Sequence, residues 1–99
     1  MIKVIEGYKL KVGADIKPVL LKLRSSAMTY TGFVGAENLI SNQDTSIVTM
    51  ISTWDKAEDW RLWKSSITRQ QILREAEALI VEEPRVTTHW IMPTVGWVG

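Results

Sequence analysis

The chain has no cysteine, one histidine, one phenylalanine and three prolines among its 99 residues. Without thiols there can be no disulfide, no thiolate nucleophile, no iron–sulfur cluster and no cysteine-built zinc site. A reducing, cytoplasmic setting fits that composition. A single histidine without a tight carboxylate cluster argues against a transition-metal site built by the protein. An excess of one charge is also lacking. Twelve Lys and Arg stand against eleven Asp and Glu, leaving a formal charge of +1, and the cations never form a run. The basic footprint of a nucleic-acid or anionic-membrane binder is therefore missing. No apolar run approaches the ~20 residues of a membrane span. The N-terminus, broken by Lys3 and Glu6, does not read as a signal peptide.

What is abundant is tryptophan, five in so short a chain. Each is large and carries one N–H donor, so the enrichment points to buried aromatic walls, at an interface or around a ligand. The length allows one domain with a single modest core, assigned to residues 1–92, with a tail over 93–99.

The stretch from Ser46 to Trp63 organises the rest. Ser46 to Thr53 is rich in Ile, Val and Thr, which favour a pleated strand. Ile47 and Ile51 fall on one side, Val48, Met50 and Trp54 on the other, as expected of a central strand covered on both faces. Asp55 is the expected cap of the next helix. On that helix Trp60, Trp63 and Ile67 recur at spacings of three and four, forming a stripe aimed back at the sheet.

Ile2 to Val12 reads as a first strand, with Ile2, Val4, Tyr8, Leu10 and Val12 on one parity. After Gly13, Asp15 is a candidate cap and Pro18 falls in a first helical turn. That helix presents Ile16, Val19, Leu20, Leu23 and Ala27 on one face and stops near Tyr30 and Gly32. Phe33 to Ile40 is a second strand, joined to the central one through the polar turn Asn42, Gln43, Asp44. Ser65 and Ser66 interrupt the helical pattern. A further helix then runs to about Ile80, with Ile72, Ala76, Leu79 and Ile80 inward. Arg61, Lys64, Arg69 and Arg74 read as a solvated helix face. Arg85 to Met92 is the last strand.

The order β-α-β-β-(α-α)-β is the split βαβ, ferredoxin-like arrangement of the α+β class: four antiparallel strands with helices on one face. Apolar residues occur on both parities of the central strand, and no helix remains for the second face. A homodimer packing sheet to sheet is the expected solution.

At this point the residues resemble a known family. Gly32-Phe33-Val34-Gly35 after the first helix, the strand ending Ser52-Thr53-Trp54, and Trp63 nine residues on are similar to the antibiotic biosynthesis monooxygenase domain, over roughly Ile2 to Ile91. The resemblance implies a ferredoxin-like protomer that pairs into a dimeric α+β barrel, with each pocket between sheet and helices. Some members of that family oxidise polycyclic aromatic substrates with O₂ and no metal or flavin. Others act on small signalling molecules, and others degrade heme. The heme branch carries an Asn in the first strand, a Trp on the helix after the central strand and a His about three turns later. Trp63 falls on the Trp position. Gly7 stands at the Asn position, and Leu73 stands at or beside the His, so heme degradation is disfavoured.

Cofactor-free oxygenation asks the protein for a dry site, a proton acceptor and neutral donors that stabilise an anion of the substrate. On this expectation the ligand is a small apolar or aromatic molecule and no cofactor is needed. Trp63 is wall and donor, Asn38 orients a substrate oxygen, and His89 is a candidate base; Tyr8 and Trp60 join Trp63 in binding. Each has a plainer role beside it. Trp54, Trp60 and Trp90 suit core or dimer contacts, His89 suits a hydrogen-bonded strand position, and Asn38 suits a solvent-facing one. A non-catalytic binding or accessory dimer is the alternative function. In the tail, Trp97 is expected to dock on its own subunit or its partner, edging the pocket.

Overall fold

The computed structural model describes residues 1–93; the tail and the docking expected of Trp97 lie outside the described residues, Pro93 excepted. The elements are β1 (Ile2–Lys9), α1 (Lys17–Ala27), β2 (Phe33–Ile40), β3 (Ile47–Trp54), α2 (Ala57–Lys64), α3 (Ile67–Glu77) and β4 (Arg85–Trp90). The four strands form one antiparallel sheet in the order β2-β3-β1-β4. All three helices lie over one face, as the α+β ferredoxin-like reading requires.

Side-chain alternation and register together define that covered face. Ile2, Val4, Glu6 and Tyr8 of β1 stand opposite Trp54, Ser52, Met50 and Val48 of β3, and every one of the eight is buried. The register extends the rows to both edges. Phe33, Trp54, Ile2 and Trp90 form one; Asn38, Met50, Glu6 and Val86 form another. From α1 the core receives Ile16, Val19, Leu20, Leu23 and Ala27, the stripe read from the sequence. Burying side chains of this size stabilises the fold by about 1.5–3 kcal/mol each. Trp54, wholly buried, donates from Nε1 to Ser52 Oγ at 3.1 Å, so its one polar group costs nothing on burial.

Several local expectations shift. β1 stops at Lys9 rather than Val12, because Leu10 leaves the ladder for an isolated bridge to Ile80, and Gly13 turns the chain at φ +78°. Asp55 does not cap α2: Lys56 is the extended residue there, and the Asp55 N–H is used on the Gly32 carbonyl at 2.8 Å. Asp15 holds the Lys17 N–H at 3.1 Å, one residue before the helix cap at Ile16. Ser66, read as an interruption, caps α3 by accepting the Arg69 N–H at 3.1 Å. α3 itself ends at Glu77, short of Ile80.

The other face of the sheet carries no helix. Its central row is Glu37, Ile51, Ile5 and Thr87, and its neighbours include Lys3, Thr53 and His89. Ile5 and Ile51 are half-buried by their own sheet, whereas Ile47 and Leu39 are exposed. This face is mixed, with an isoleucine pair at its centre.

Candidate functional site

The three residues proposed from the sequence as catalytic, Trp63, Asn38 and His89, do not share a cleft. Trp63 is 3% exposed, its ring edge-on to Tyr30 at 5.0 Å between centroids, beside the C-terminal end of α1. Asn38 is on the covered face of edge strand β2 but is itself exposed. His89 pairs with Lys3 on the opposite face, at the other edge of the sheet, and its Nε2 is bonded to Thr87 Oγ1 at 2.9 Å. Sheet parity and strand order therefore keep Asn38 and His89 apart within a protomer. His89 and Trp60 do border one cleft of about 430 Å³ at the α2–β4 edge, with Ile2, Arg61, Lys64 and Trp90. Of the two roles expected of Trp90, the core is ruled out, since it is 74% exposed on edge strand β4 of the protomer; the expected dimer contact concerns a second copy.

A different cleft brings Asn38 chemistry of its own. About 450 Å³ in volume, it lies between α1 and β2, its walls built by Leu10, Ile16, Leu20, Ile40 and Val48. Asn38 and Asp15 are both on its lining. The amide reaches it because β2 alternates and Asn38 shares the parity of Met50. Asp15 reaches it because the chain enters α1 there, Pro18 fixing the first turn. Asp15 was read from the sequence as a cap alone; its place beside an apolar hollow follows from packing, which no local pattern displays.

The third feature lies beneath α3. Arg69, expected on a solvated face, is 5% exposed and donates from Nη2 to Glu6 Oε1, itself 2% exposed. The guanidinium carbon also sits 5.2 Å from the centre of the Trp60 ring, within cation–π range. Tyr8 follows Glu6 on the same face of β1 and is 1% exposed. Burial first, and then the Glu6 charge, drive the Tyr8 hydroxyl far above the ordinary tyrosine range, so it is a neutral donor. The structure thus joins Tyr8 and Trp60, both expected at a binding site, through Arg69. Sequence carried a signal for this group: Glu6 interrupts the apolar parity Ile2, Val4, Tyr8, and Arg69 heads the stripe Ile72, Ala76. Among the described residues no three His, Cys, Asp or Glu side chains come together as a metal site.

No protein-family model and no curated protein matches the chain. Solved structures do. The cofactor-independent oxygenase SnoaB from Streptomyces nogalater superposes with a TM-score of 0.83 at 13% identity, covering 96% of each chain. An antibiotic biosynthesis monooxygenase superposes at 0.81 and 15% identity, covering 94% of this chain and all of that one. Rv0793 from Mycobacterium tuberculosis gives 0.82 at 11% identity, over 93% and 95% of the two chains. At these identities the likeness speaks for architecture. The four-stranded sheet, its order and its one-sided helical cover are the fold of the antibiotic biosynthesis monooxygenase proteins.

Proposed function

We propose that this chain is a cofactor-independent monooxygenase that oxidises a small apolar or aromatic molecule with O₂ in the α1–β2 cleft. The observation that carries the reading is the shared position of Asn38 and Asp15 on the wall of a largely apolar hollow of about 450 Å³, whose other polar lining residues are Lys17 and Thr45. That volume lies within the range of small-molecule sites, ~300–1,000 Å³. The superposition on an oxygenase that itself needs no cofactor supports the same class.

In this scheme the substrate supplies the electrons. Asp15 accepts a proton from an activated CH₂ beside an aromatic ring, leaving a carbanion whose charge sits on a substrate oxygen. Asn38 donates its amide N–H to that oxygen. The carbanion reduces O₂ and a C–O bond forms, giving a hydroperoxide. Loss of water then breaks the O–O bond: one oxygen remains as the new carbonyl, and the other leaves with the two substrate hydrogens. Leu21 and Ile40 are largely exposed at this cleft, so a bound ring would take apolar surface out of water and dry the site. Trp63 supports the fold behind α1, and His89 is too far round the sheet to act as base within the protomer.

The proposal extends to a cytoplasmic homodimer through the open sheet face. Ile5 and Ile51 stand directly opposite each other at the middle of that face, where a second copy would cover them. Light scattering that returns a monomer at micromolar concentration would remove the pairing. No described helix is long and apolar enough to cross a membrane.

A second reading, a binding protein without turnover, draws on one contact: Asp15 Oδ1 already accepts the Lys17 N–H at 3.1 Å, so one of its two oxygens is engaged with the backbone. Oxygen uptake with anthrone-like and hydroquinone substrates separates the two. Uptake that Asn38→Leu reduces at least about tenfold and Asp15→Asn abolishes is the expected result. Saturable tryptophan quenching with no uptake would leave only the binder.

A further inference from the structure

The cleft at the α2–β4 edge, about 430 Å³ in volume, has no part in the oxygenase scheme. Its two walls follow from two periods. On α2, Ala57, Trp60, Arg61 and Lys64 stand at i, i+3, i+4 and i+7, so one helix face carries all four toward β4. On β4, Thr88 and Trp90 share the parity that faces the helices, Trp90 directly opposite Ile2. Ile2 and Trp60 are buried and give the cleft an apolar back, yet the Trp90 indole at its mouth is left largely to water. Among the described residues no aromatic ring or guanidinium stacks on that indole. A large aromatic surface on the helix side of a sheet and still uncovered is the informative kind of exposure.

Charge decides what the cleft would accept. Arg61 and Lys64 are on its lining, and no carboxylate joins them. Lys64 has no ion-pair partner among the described residues. Arg61 has only Glu58, at 3.8 Å and with both side chains largely exposed, a pairing worth little in water. The other acid of α2, Asp59, is turned to the far side of the helix, against Gly32. The α3–β4 cleft, by contrast, is lined by Glu77, Glu82 and Glu83. A hydrocarbon would leave both cations of the α2 wall unanswered, whereas an anion with a flat apolar body answers both walls.

We infer that the α2–β4 cleft is a second binding site, for a planar aromatic carboxylate. The ring lies on the Trp90 indole, and the carboxylate accepts from Arg61 and Lys64. The site stands independently of the oxygenase reading. The proposed substrate cleft lies between α1 and β2, and β2 and β4 are the two outer strands of the sheet. Ile5 and Ile51 are on the other face, so pairing through that face would leave this cleft open.

Titration of ¹⁵N-labelled protein with 2-naphthoate, followed at the indole N–H signals, tests it; Trp90→Val identifies the Trp90 signal by its loss. That signal should move saturably. Neutral 2-naphthamide should bind at least about fivefold more weakly. Cyclohexanecarboxylate, which has the charge without the aromatic face, should bind at least about threefold more weakly. The double variant Arg61→Gln with Lys64→Gln alters two exposed side chains. It should keep the fold and bring the naphthoate to the affinity of the amide. Naphthoate that moves the backbone signals of Leu39 and Ile40 and leaves Trp90 still has entered only the α1–β2 cleft, and overturns the inference. Equal affinity for the amide or for the saturated acid, an unchanged naphthoate affinity in the double variant, or no binding at all would do the same.

Discussion

Glu6 and Arg69 lie 63 positions apart in the chain and meet at 2.5 Å under α3, each less than a tenth exposed. Desolvating two opposite charges costs several kcal/mol per ion, and their attraction repays it only while both are present. Arg69→Met should therefore destabilise the protein by about 3–5 kcal/mol, since it leaves a buried carboxylate uncompensated. The double variant Glu6→Leu with Arg69→Met should recover most of that loss. Urea unfolding of the four proteins in a double-mutant cycle checks it. Additive losses with no recovery would mean that the pair is not coupled.

That pair also marks the limit of what the sequence discloses. The parity of Ile2, Val4 and Tyr8, the branched residues of β3 and the three–four stripe of α1 sufficed for the fold, because each is a local pattern with a known period. Glu6 sits on the apolar parity of its strand and Arg69 on the apolar stripe of its helix. Those positions mark each charge as inward-facing, but neither pattern names a partner for it. Only the packing of α3 over β1 shows that each is the other's partner. Asn38 and His89 illustrate the same gap: periodicity gives a side chain's face within its own strand, but which strands are edges and which faces coincide follow from the order β2-β3-β1-β4. Trp90 has the right parity for the core and still faces solvent, since coverage depends on where α2 ends.

Gly32 adopts φ +86°, and a Cβ placed there would collide with the Asp59 side chain. Two separate costs attach to Gly32→Ala. The left-handed backbone penalises any Cβ by roughly 1–2 kcal/mol, and the contact with Asp59 adds to it. Gly32→Ala should lower stability by more than about 2 kcal/mol. Combining it with Asp59→Ala removes the carboxylate from the collision but keeps Asp59 Cβ within 2.7 Å of the new methyl, so only part of the collision cost should return. Chemical denaturation of both variants decides the matter: a Gly32→Ala protein as stable as its parent would show that this turn tolerates a side chain.

Asp44 closes the turn between β2 and β3, and its carboxylate is held low, from 3.8 to about 2, by the Ser46 hydroxyl first and the Lys9 ammonium next. Its Oδ1 accepts the Ser46 hydroxyl at 2.6 Å and the Ser46 N–H at 3.0 Å, and its Oδ2 accepts Lys9 Nζ at 2.9 Å. Because the folded state binds this proton more weakly than the unfolded chain, the carboxylate stabilises the fold above its unfolded pKa. The contribution disappears as pH falls from about 4 toward 2. Thermal unfolding of the parent and of Asp44→Asn should accordingly show a gap at neutral pH that closes over this acid window. Added salt should narrow only the part owed to Lys9, whose pairing is half-exposed and screened. A gap that persists unchanged at pH ~2 would mean that the turn is held by its backbone and not by the charge on Asp44.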